Sequence, residues 1–108
     1  MNAQLDFMRV MERHETRHQQ RLRVLREAMA SLYRAQLTEK GFDRAYVSGN
    51  DVRRWLERNP EWNAAGSDNW RAAVFASREW VWTGEMIPST AKGGNATKIQ
   101  CYRLRGMG

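Results

Sequence analysis

From residue 3 to residue 40 the chain contains neither glycine nor proline. This stretch is more than a third of the 108 residues, and it is rich in Arg, Glu, Gln, Leu, Met and Ala. Those residue types lose little side-chain freedom in a helix, so a long helix is predicted, with Gly41 as its C-terminal cap. The apolar positions divide it. Leu22, Leu25, Met29, Leu32, Tyr33 and Leu37 make a strong core-facing stripe, so residues 20–40 are expected to be the core helix of a domain. Met8 and Met11 share the heptad register of that stripe, but Glu15 and His18 occupy seam positions between them. Residues 1–19 are therefore set apart as an N-terminal helical arm, and residues 20–108 as one domain. A chain of this length buries only about two-thirds of its unfolded surface, which allows a single modest core. The arm is a candidate homodimer contact. A polar seam would set its register, and His18 would make pairing sensitive to pH, which the size in solution at high and low pH would report.

The arm contains His14-Glu15-Thr16-Arg17-His18, a literal match to H-E-x-x-H. On a helix the two histidines lie four apart on one face, as zinc requires, with Glu15 placed to activate water. The surroundings argue against that chemistry. Arg13, Arg17 and Arg21 crowd the site with positive charge, and the chain has no third histidine. The candidate third ligand, Glu39, falls about 30 Å further along the same predicted helix at 1.5 Å per residue. Glu12 and Glu15 read instead as i,i+3 and i,i+4 partners of Arg9, Arg13 and Arg17. No metal, no cofactor and no enzymatic activity are expected.

Beyond Gly41 the pattern shortens. Ala45-Tyr46-Val47 is β-prone and is able to join a sheet as a third strand. Ser48 or Asn50 then caps a helix with Asp51 in its first turn and Val52, Trp55 and Leu56 on its buried face, stopped at Pro60. Ser67 or Asp68 caps a further helix over 69–78, with Trp70, Ala73, Val74 and Ser77 inward and Asn69, Arg71, Ala72, Phe75 and Arg78 outward. The last third changes period. "WVWTGEMIPS" mixes apolar with polar and β-branched residues, and "ATKIQCYRLR" alternates. The turn formers of "STAKGGN" lie between them, which predicts a β-hairpin.

Charge suggests the partner. Lys and Arg number 18 against 12 Asp and Glu, a formal net charge of +6. After Glu85 there is no acid at all, only Lys92, Lys98, Arg103 and Arg105. A basic balance of this kind favours polyanions, chiefly nucleic acid. No apolar run is long enough to span a membrane. The first residues carry acids and no apolar core of a secretion signal, and a single cysteine, Cys101, allows no internal disulfide. A reducing, cytoplasmic setting is the expectation.

The order helix, short strand, helix, helix, hairpin resembles the winged helix-turn-helix domain, an α+β fold, over roughly residues 20–105. The "TGE…PS" stretch before a Gly-rich wing is also similar to small winged-helix proteins of phages and mobile elements. The resemblance implies a transcriptional regulator or accessory factor that binds double-stranded DNA. Helix 69–78 would enter the major groove and the wing, 89–97, would lie on the backbone. Carried onto this sequence, the contact residues would be Asn69, Arg71, Ala72, Phe75 and Arg78 on the helix, and Lys92, Gly93, Gly94 and Lys98 on the wing. Asn and Arg suit base edges, whereas Lys suits phosphate. The alternative is a winged-helix protein-interaction module, such as a phage-type inhibitor or adaptor of a host complex, using Phe75, Trp62 and the arm. Trp55, Trp70, Trp80 and Trp82 are expected in the core, and Trp62 is expected as an exposed contact. Cys101 is expected in the sheet as a small apolar residue.

Overall fold

A computed structural model describes residues 17–62, 73–90 and 97–106. Helix α1 runs Arg17–Lys40. Leu25, Met29 and Tyr33 are spaced four apart, so they lie on one face, and all three are buried. Leu22, Leu32 and Leu37 pack beside them, partly buried. The helix stops at Gly41, whose φ of 82° is the left-handed conformation that glycine adopts without strain. The Gly41 amide still donates to the Leu37 carbonyl at 3.0 Å, closing the last turn. The arm through residue 16 lies outside the described residues.

The short β-prone segment contributes one bridge. Val47 pairs antiparallel with Tyr102 through two backbone hydrogen bonds of 2.9 and 2.8 Å. Helix α2, Gly49–Arg58, follows at once. Its cap is Ser48: the Asn50 amide donates to Ser48 Oγ at 3.3 Å, and the Ser48 amide donates to Asp51 Oδ2 at 2.8 Å. This reciprocal arrangement satisfies donors that a helix start leaves open. Val52 and Leu56, four apart, are the buried face of α2, and Trp55 is half-buried. A single 3-10 turn, Pro60–Trp62, ends this part of the chain.

Strands β1, Trp80–Pro88, and β2, Lys98–Leu104, form an antiparallel hairpin. The molecule is thus α+β, with helices packed against a two-stranded antiparallel hairpin. The register pairs Trp80 with Leu104 and Trp82 with Tyr102, then resumes at Met86 with Gln100. Between those pairs Thr83, Gly84 and Glu85 face Cys101 alone, which makes a bulge. Gly84 supplies the positive φ, 93°, that the bulge needs.

Two expectations about tryptophan are corrected. Trp82 is 49% exposed rather than in the core. Its indole N–H donates to the Glu85 carbonyl at 3.1 Å, inside its own bulge, so the ring stays on the hairpin rim. Trp62 packs partly buried against the core rather than standing out as a contact. Trp70 lies outside the described residues. Strand β2 uses both of its faces. Cys101 is fully buried on one parity, and Leu104 is buried on the other with Tyr102 packed beside it.

Candidate nucleic-acid interface

Helix 69–78 and the wing were the two expected elements, and the structure describes only part of each. Asn69, Arg71 and Ala72 lie outside the described residues, as do Lys92, Gly93 and Gly94. Phe75, Arg78 and Lys98 are placed.

Phe75 does not face outward. It is only 7% exposed. Its ring stacks on Tyr102, with centroids 4.5 Å apart and planes 6° apart, and meets Trp80 edge-on at 5.2 Å. The helix it was expected to ride has already ended. Residues 73 and 74 are helical, residue 75 begins a turn, and the Ala76 amide donates to the Ala73 carbonyl at 3.2 Å. Helical phase therefore stops one residue before Phe75, and the turn carries its ring inward. Arg78 is corrected for the same reason. It sits exposed in the turn that leads into β1, not on a helix.

The end of this helix is held from α1. Arg26 Nε donates to the Val74 carbonyl at 3.1 Å, and a terminal guanidinium nitrogen donates to the Ala73 carbonyl at 2.7 Å. The last carbonyls of a helix lack intrahelical donors, and the negative end of the helix dipole favours a cation there. Arg26 supplies both effects from 48 residues away in sequence.

The root of the wing is held by α2. Asn50 is buried, and its side-chain amide donates to the Pro88 carbonyl at 3.1 Å. Its Oδ1 accepts from the Thr90 amide at 2.9 Å and from the Thr90 hydroxyl at 3.1 Å. Arg53, one helical turn on, donates to the same hydroxyl. Across the strands the Ser89 amide donates to the Thr97 carbonyl at 2.8 Å, and exposed Lys98 pairs with Pro88. The sequence offered Asn50 only as a rival cap. Its role depends on Pro88 being brought beside the start of α2, which no local pattern encodes.

No family model, curated protein or solved structure matches this chain.

The described residues contain no group of three or more His, Cys, Asp or Glu side chains placed to hold a metal ion. No described helix is long and apolar enough to cross a membrane. His14 and Glu15 lie outside the described residues. Cys101 is buried, and burial first, then Glu85 and Asp51, pushes its thiol above the ordinary value of 9.0. A nucleophilic thiol needs the opposite shift.

Tyr33, Tyr46 and Tyr102 are likewise raised above 10.0, by burial first in each case, with Arg103 opposing the shift at Tyr33. All four groups hold their protons more tightly folded than unfolded. Their contribution to stability is intact below the ordinary values and is lost as pH climbs past them. The thermal midpoint is therefore expected to fall between about pH 9 and about pH 11. A midpoint that stays flat across that window would contradict the burial of these groups.

Proposed function

We propose that this protein binds double-stranded DNA as a winged helix-turn-helix regulator or accessory factor. The observation that carries the reading is the anchoring of both candidate DNA elements to the helical scaffold. Arg26 fixes the end of the helix at 73–74, and Asn50 with Arg53 fixes the root of the hairpin. A reading head needs that kind of support, since contact residues on loosely held segments lose affinity to ordering. The +6 charge and the acid-free basic run after Glu85 support a polyanionic partner. In this reading Asn69, Arg71 and Ala72 meet the major groove, and Lys92, Gly93, Gly94 and Lys98 follow the backbone. Phe75 belongs to the core, where it supports the helix end instead of touching DNA.

The test is a titration of random-sequence duplex at several salt concentrations. Affinity should fall steeply with salt, with a log–log slope of about 0.9 per phosphate contact. Replacing Lys92 and Lys98 together by alanine should flatten that slope by about 1.8, whereas Arg71→Ala should weaken binding with little change in slope. An unchanged slope would count against the reading.

The protein-interaction module is the second reading, and one observation favours it. Phe42, Trp82 and Met86 are 41%, 49% and 48% exposed, large apolar side chains that a protein partner would cover. Absent duplex binding, or binding indifferent to salt, favours this reading over DNA.

A further inference from the structure

A trough runs between α1 and the base of the hairpin, at the end away from the wing. It consists of two adjoining hollows of about 450 Å³ and about 590 Å³ that share Ala30, Arg34 and Glu79. We propose that this trough is a second phosphate-backbone contact for duplex DNA, separate from the helix and wing. The proposal rests on the DNA reading above only for the identity of the polyanion.

Helix α1 forms one wall through Arg23, Arg26 and Arg34. Positions 23, 26, 30 and 34 recur at helical spacing, so they share one face. From Arg23 to Arg34 that face is about 16 Å long at 1.5 Å per residue. Ala30 lies in its middle, and its methyl group leaves the floor open between the longer arginines. The hairpin base forms the other wall through Arg78 and Arg105.

The walls are held in place. Arg105 Nε donates to the Arg78 carbonyl at 2.9 Å, and the Arg105 amide donates to the Glu79 carbonyl at 2.7 Å. The terminal nitrogens of Arg105 are not used in those bonds. Arg26 is partly committed to the carbonyls of Ala73 and Val74, so it fixes the trough rather than reaching out of it. Arg34 and Arg78 are exposed, and among the described residues neither has a carboxylate within ion-pair distance.

The charges decide the ligand. Among the described residues, five arginines line the trough against Glu27 and Glu79, so five minus two leaves a local balance of +3. Like charges gathered on two facing walls repel, and a polyanion laid between them relieves that repulsion. Every cation in the set is arginine, whose planar fork matches phosphate oxygens in pairs.

The trough is also remote from the wing. Six steps along β2, from Leu104 to Lys98 at about 3.3 Å each, separate its mouth from Pro88 and Lys98, a span of about 20 Å. A duplex engaging both surfaces would have to run alongside the hairpin or bend over it.

The experiment compares the full chain with two sets of variants on one random 24-base-pair duplex, by fluorescence anisotropy across a salt series. Arg34→Ala with Arg78→Ala removes two trough contacts. Arg71→Ala, Lys92→Ala and Lys98→Ala remove the helix and wing contacts. The trough pair should flatten the salt slope by about 1.8 and weaken binding by roughly 50-fold near 0.1 M salt. Arg34→Lys with Arg78→Lys should restore most of the slope, which a folding defect would not allow. If the alanine pair shifts the urea midpoint, Arg34→Ala alone carries the test, with half the slope change. A trough pair that binds like the unmodified protein while the wing set weakens overturns the trough and leaves the DNA reading standing. Weakening by the trough pair alone supports the trough and overturns the helix-and-wing reading. An unmodified protein that binds no duplex at any salt overturns both.

Discussion

Replacing Phe75 by alanine is expected to lower the free energy of unfolding by about 3–5 kcal/mol, the usual range for an aromatic ring lost from a core. The ring lies between two aromatic neighbours, stacked on Tyr102 and edge-on to Trp80. Its removal leaves a cavity where the turn after residue 74 meets the hairpin. Aromatic pairs of this geometry contribute about 0.5–1.5 kcal/mol each beyond buried area, so the estimate falls toward the upper end of the range. Domains of this size are stable by only about 5–15 kcal/mol, so the loss is a large share of the total. The thermal midpoint should drop by about 15 °C or more. Urea unfolding followed by tryptophan fluorescence measures the effect, because Trp80 is in direct contact with the ring. A residue on a DNA-reading face would behave differently. Its alanine variant would keep the urea midpoint within about 0.5 kcal/mol and lose affinity instead. A Phe75→Ala protein with an unchanged midpoint would return the ring to the outer surface.

Phe75 shows where local pattern stops being informative. Helical periodicity is a reliable guide only while the helix continues, and extending it to residue 78 put the ring on the wrong side. Residues whose structure is set by neighbours within four positions were legible. Gly41 ended α1 as its missing Cβ allows, Ser48 and Asp51 formed a reciprocal cap, and the turn formers between 89 and 97 divided a hairpin. The stripe Leu25, Met29 and Tyr33 faced the core because one helix face must. Residues whose role is set from far away in sequence were not legible. Nothing local sets Arg26 apart from the other arginines of α1, and Asn50 offered itself only as an alternative cap. Trp82 looked like core because tryptophan is large and apolar, yet the bulge at Thr83–Glu85 gave its indole an acceptor at the rim. The same limit applies to the arginine trough. Arg23, Arg34, Arg78 and Arg105 are separated by up to 82 positions (105 minus 23), and only the packing of α1 on the hairpin base gathers them.

Replacing Arg26 by alanine is expected to destabilise the protein by about 2–4 kcal/mol, since hydrogen bonds from a charged group each contribute about 1.5–3 kcal/mol and neighbouring bonds do not add fully. The side chain is half-buried, and its two acceptors are the carbonyls of Ala73 and Val74. Without it the Val74 carbonyl loses its guanidinium donor, the Ala73 carbonyl keeps only the Ala76 amide, and the C-terminal end of the helix loses a cation favoured by its dipole. The effect should be local before it is global. The Ala76 amide, which donates to Ala73 at 3.2 Å, should exchange its hydrogen faster than amides in the middle of α1. Arg26→Lys should recover only part of the stability, because a point charge satisfies the dipole without the paired geometry of the guanidinium. Arg34→Ala is the control: it lies on the same helix, two turns on and exposed, and should change stability by less than about 0.5 kcal/mol. Equal urea midpoints for Arg26→Ala and Arg34→Ala would sink the capping role. A selective loss at Arg26 would tie the positioning of the candidate reading helix to α1, the helix that also carries one wall of the trough. The two proposed DNA surfaces would then share a single rigid support, so weakening it should lower the affinity of both together.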